Sequence, residues 1–112
     1  MPKNYTISRV EPRIPMEVAV QIAGHDRVPG VETTFTENVS SRGARVLTTR
    51  RWNSGDRLIF ASLPGNFQAL ARVAYCQPVR PSQSFVIGIE FLNPNGRWVI
   101  EPSPEREALS NR

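Results

Sequence analysis

Glu37-Asn38-Val39-Ser40-Ser41-Arg42-Gly43 separates two runs in which apolar and polar residues alternate. Its residue types make a turn: Asn and Ser bond their own backbone, and Gly admits a positive φ. Upstream, Val31, Thr33 and Phe35 share one face, with Thr33 and Thr34 adding β-propensity. Downstream, Ala44 to Thr49 carries Val46 and Leu47 away from the turn. The heptapeptide therefore reads as the tip of a hairpin, and the chain around it repeats the pattern.

Before the hairpin, Met16, Val18, Val20 and Ile22 alternate with Glu17, Ala19 and Gln21, followed by a loop from Ala23 to Pro29. After it comes a second polar turn, Arg50 to Asp56, then a strand from Arg57 to Leu63 with Leu58 and Phe60 on one side. Pro64-Gly65-Asn66 is a turn signal. Phe67 to Gln77 is the longest strand-like run, with Phe67, Ala69, Ala71, Val73 and Tyr75 expected on one face. A loop at Pro78 to Ser84 precedes Phe85, Ile87, Ile89 and Phe91 on one face of the last strand, which Asn93-Pro94-Asn95-Gly96 ends. Most aromatics fall on such alternating faces and are expected to turn inward. Trp98-Val99-Ile100 is expected to pack back onto the domain, and Ser103-Pro104-Glu105 reads as the start of a short helix through Leu109. About six strands and almost no helix make the chain all-β, a small antiparallel barrel or sandwich. The expected division is a flexible N-terminal arm over 1–8, a β-domain over 9–100, and a short helix or tail over 101–112.

The totals narrow the function. A chain of 112 residues is one domain by length. No run of about 18 apolar residues is present, so no membrane-spanning helix is expected. The first residues lack the apolar stretch of a signal peptide, so a cytoplasmic protein is expected. Cys76 and His25 are the only cysteine and histidine, which leaves no metal site, no Cys/His dyad and no disulfide. No nucleophile has a base to activate it, and Asp26 and Asp56 both sit in turn-like text, so a binding module is expected rather than an enzyme, with no cofactor. The formal charge is +4, and 13 of the 14 basic residues are arginine, whose donor fork matches phosphate and guanine. That charge is too dispersed for a DNA- or RNA-binding tail.

Arg9-Val10-Glu11-Pro12-Arg13 places two arginines with three residues between them, and 24 residues separate Arg13 from Asn38-x-Ser40-x-x-Gly43. Pro12 keeps this segment out of a regular helix. The pair of motifs, in this order and spacing, resembles the signature of PilZ domains, bacterial receptors for cyclic di-GMP. Ile87-Gly88-Ile89-Glu90-Phe91 also resembles the last barrel strand of that family, so the resemblance covers Arg9 to Leu92. It implies a six-stranded barrel with a short C-terminal helix beside it. It further implies that Arg9, Arg13, Asn38, Ser40 and Gly43 hold cyclic di-GMP, with Ser41, Arg42 and Tyr75 as weaker candidates. In this picture the arginines take a phosphate or a guanine edge, Asn38 reads a base, and Gly43 lets backbone approach the ligand. In some relatives an aromatic in the strand that corresponds to that of Tyr75 stacks on a guanine. Many relatives carry aspartate at the position of Asn38, and often a basic residue at that of Ser8, which bears on whether one or two ligand molecules bind. A downstream protein partner is implied as well. The alternative is a PilZ-like module that makes protein contacts without binding the nucleotide.

Overall fold

The computed structural model describes residues 12–100. The expected helix at Ser103–Leu109, the N-terminal arm and Arg9 all lie outside these residues. Seven strands follow one another: β1 (Ile14–Pro15), β2 (Ala19–Ala23), β3 (Val31–Ser40), β4 (Gly43–Thr48), β5 (Arg57–Ser62), β6 (Phe67–Val79) and β7 (Ser84–Gly96). Six of them close a barrel in the order β3-β2-β5-β6-β7-β4 and back to β3, every neighbouring pair antiparallel. Closure leaves no long row of unpaired backbone groups. The short β1 lies along the second half of β3, with Ile14 opposite Val39 and Pro15 opposite Asn38.

The alternation read from the sequence holds through β2, β5, the first half of β6 and most of β7. Val20, Ile22, Leu58, Phe60, Phe67, Ala71, Val73 and Ile87 all turn inward and are buried. The last strand runs further than expected. Asn93 to Gly96 stay paired with Phe67 to Leu70, because the long β6 offers a partner along its whole length. Trp98 does pack back, its ring within 5.5 Å of the rings of Phe60, Phe67 and Phe91.

Two stretches reverse their expected faces. In the first half of β3, Val31 and Phe35 are exposed, while Glu32, Thr34 and Thr36 face the other way. These polar groups are satisfied. Glu32 accepts hydrogen bonds from the Thr48 hydroxyl (2.6 Å) and the Thr49 amide (2.8 Å). Thr36 donates to the Met16 carbonyl (2.7 Å) and accepts from the Val18 amide (2.9 Å). A buried polar group with a partner loses most of its desolvation penalty, so tertiary bonding overrides the hydrophobic pattern. In β6 a bulge does the same job. Val73 pairs with Ile89 but Tyr75 pairs with Gly88, leaving Ala74 as the extra residue. One inserted residue flips everything after it, so Tyr75 stands on the outer face and Cys76 packs against the core.

Candidate functional site

The outer faces of β3, β4, β7 and β6 meet in a groove of about 400 Å³ beside the β3–β4 turn, lined by Arg13, Ser40, Arg42, Gly43, Tyr75, Gly88 and Glu90 among others. Arg13 reaches it because β1 pins the preceding segment against β3. Its Nη1 donates to Asn38 Oδ1 across 3.0 Å, joining two positions 25 residues apart. Arg13 and Asn38 are thus adjacent in space, two of the positions that the resemblance brings together; Arg9 lies outside the described residues.

The turn itself is tight. Ser40 is buried, and its Oγ lies 3.4 Å from the Arg42 amide and 3.5 Å from the Gly43 carbonyl. The Ser40 carbonyl accepts the Trp98 indole N–H at 2.7 Å, which ties the turn to the core. Gly43 does not use a positive φ. Its missing Cβ makes room for the Ile89 carbonyl of β7, which a side chain at this position would strike. The glycine therefore serves close strand pairing. Ser41 points elsewhere, lining a second depression with Phe67, Trp98 and Ile100 at the end of the barrel.

On the far wall of the groove, the Tyr75 ring lies directly over Gly88, where a Cβ would overlap it. Arg45 Nη1 donates to the Tyr75 hydroxyl (3.0 Å), and its Nε donates to Glu37 Oε1 (2.9 Å). The Glu37 carboxylate holds the Arg45 guanidinium above its usual pKa, and Tyr75 adds to the effect. Arg45, Gly88, Glu37 and Glu90 were not legible as site residues. The one local signal was a glycine in the middle of an apolar strand, which often marks a close approach.

The sequence matches the PilZ domain over residues 7–97, most of the chain. The chain belongs to the PilZ domain family. PilZ domains are receptor and adaptor modules of bacterial signalling, and the family binds cyclic di-GMP. Among solved structures, the chain is similar to the Bacillus subtilis inhibitor of motility MotI/DgrA, with a TM-score of 0.59 and 17% sequence identity. That likeness covers 91% of this chain and 51% of the other, so the protein spans about half the length of MotI/DgrA. A search of the curated proteins finds no match. Among the described residues of this PilZ chain, no helix is long and apolar enough to cross a membrane, and no cluster of His, Cys, Asp or Glu could hold a metal ion.

Proposed function

We propose that this PilZ domain is a cytoplasmic cyclic di-GMP receptor whose ligand lies between the Arg9–Arg13 segment and the Asn38–Gly43 turn. The observation that carries the reading is the Arg13–Asn38 hydrogen bond at the mouth of a groove that Tyr75 closes on the other side. Arg9 and Arg13 supply forks for phosphate or guanine, Asn38 reads a base edge, and Tyr75 offers its ring for stacking. Ser40 and Gly43 set the turn that presents these groups. Arg13 exchanges its contact with Asn38 for the ligand, and the ordered arginine segment passes the change to a partner protein.

Calorimetry tests this. The parent chain is expected to bind cyclic di-GMP near the micromolar range, and Arg13→Ala to lose about 2–5 kcal/mol. Absence of binding by the parent removes the reading.

One observation favours the second reading, a protein-contact module without nucleotide. On the outer face of the barrel, Val31, Ala23, Ile59 and Leu70 lie side by side across β3, β2, β5 and β6. Val31 and Ile59 are about half exposed. If the parent chain does not bind the nucleotide, this apolar row becomes the surface to mutate.

A further inference from the structure

The groove contains a carboxylate, which is unexpected where a dianion is to bind. Glu90 projects from β7 directly opposite Gly43 on β4 and opposite Arg72 on β6. Its Oε1 accepts from Arg72 Nη2 at 2.7 Å. The side chain is 52% exposed, so the pair is a surface ion pair that adds little to stability. A carboxylate has acceptors alone, about four lone-pair sites, so Arg72 leaves most of its capacity unused.

We infer that Glu90 reads the base of the bound nucleotide and makes the groove selective for guanine over adenine. The inference rests on the receptor reading above. Guanine presents two parallel donors on one edge, N1–H and the exocyclic amine, which match the two oxygens of a carboxylate. Adenine presents an acceptor at N1, which meets a lone pair of Glu90 instead. The placement fits this chemistry. Tyr75 covers Gly88, which is two residues from Glu90 on the same face of β7, about 7 Å along the strand. A purine stacked on Tyr75 brings its edge to Glu90. The negative charge also sets the direction of binding, because it repels phosphate toward Arg13 and leaves the base on the Glu90 side.

The test is a calorimetric titration of cyclic di-GMP and cyclic di-AMP into the parent chain, Glu90→Gln and Arg72→Ala. The parent prefers the guanine nucleotide. In Glu90→Gln, cyclic di-GMP affinity falls roughly 10- to 100-fold, cyclic di-AMP affinity does not fall, and the preference collapses. Arg72→Ala loses the same ion pair but keeps the carboxylate, and it retains the preference. If Glu90→Gln keeps the parent's preference, or weakens both nucleotides equally, Glu90 is a structural partner of Arg72 and the inference is overturned. A parent chain that binds neither nucleotide overturns the receptor reading itself, and this one with it.

Discussion

The two ends of the barrel are each plugged by a tryptophan, and the two plugs differ. At the end carrying the Ser40–Gly43 turn, Trp98 is buried among Phe60, Phe67 and Phe91 and gives its N–H to the Ser40 carbonyl. At the opposite end, Trp52 is equally buried and meets His25 edge-on at 4.7 Å, but its N–H has no acceptor among the described residues. Packing alone suffices to close a barrel end. The polar bond at the other end does something additional: it fixes the one turn on which the candidate site depends. At the candidate site's end the core reaches out to hold the backbone; at the other end a buried donor stands without an acceptor among the described residues.

This contrast can be broken by experiment. The largest effect is expected for Trp98→Ala, which removes three ring contacts and a buried hydrogen bond; denaturant unfolding should register a loss of about 3–5 kcal/mol. Glycines probe the two ends differently. Gly43→Ala drives a Cβ into the Ile89 carbonyl, and overpacking of this kind costs about 1–3 kcal/mol. At the far end, Gly55 has a φ of +95° with nothing within 4 Å of a Cβ. There the same substitution costs about 1–2 kcal/mol through backbone strain alone, and Gly55→Asn should recover part of the melting temperature. The sharpest comparison pairs Trp98→Phe with Trp52→Phe. The first strands the Ser40 carbonyl and costs about 1–3 kcal/mol, whereas the second deletes a donor with no acceptor among the described residues and should stay within about 1 kcal/mol of the parent. Equal losses from the two would end the distinction between the plugs. The smallest effect belongs to Arg45→Met, below about 1 kcal/mol, because its ion pair with Glu37 lies at the surface, partly exposed to solvent.

Much of the barrel was legible because its inward residues alternate and its turns are marked by Pro, Gly and Asn. The reversal of β3 was not. Glu32 is satisfied by Thr48 and Thr49, and no local pattern announces partners 16 and 17 residues away. Tyr75 was misplaced for a different reason. Ala74 looks like any small strand residue, and only its unpaired position opposite β7 makes it a bulge. In the candidate site, the two motifs were readable through their resemblance to a family signature, and the Arg13–Asn38 contact brings one residue of each together. Arg45 and Glu90 were invisible because cross-strand register brings the first to the Tyr75 hydroxyl and the second into the groove, and that register depends on strands far apart in the chain.

The hydrogen bond from Trp98 to Ser40 also makes the protein its own optical reporter. The chain has two tryptophans, and just one of them is bonded to the turn. A ligand that shifts the Ser40 carbonyl alters the surroundings of one indole and leaves the other as an internal reference. In a Trp52→Phe background, the remaining emission follows that single carbonyl. Nucleotide binding could then be timed by stopped-flow fluorescence with no dye attached.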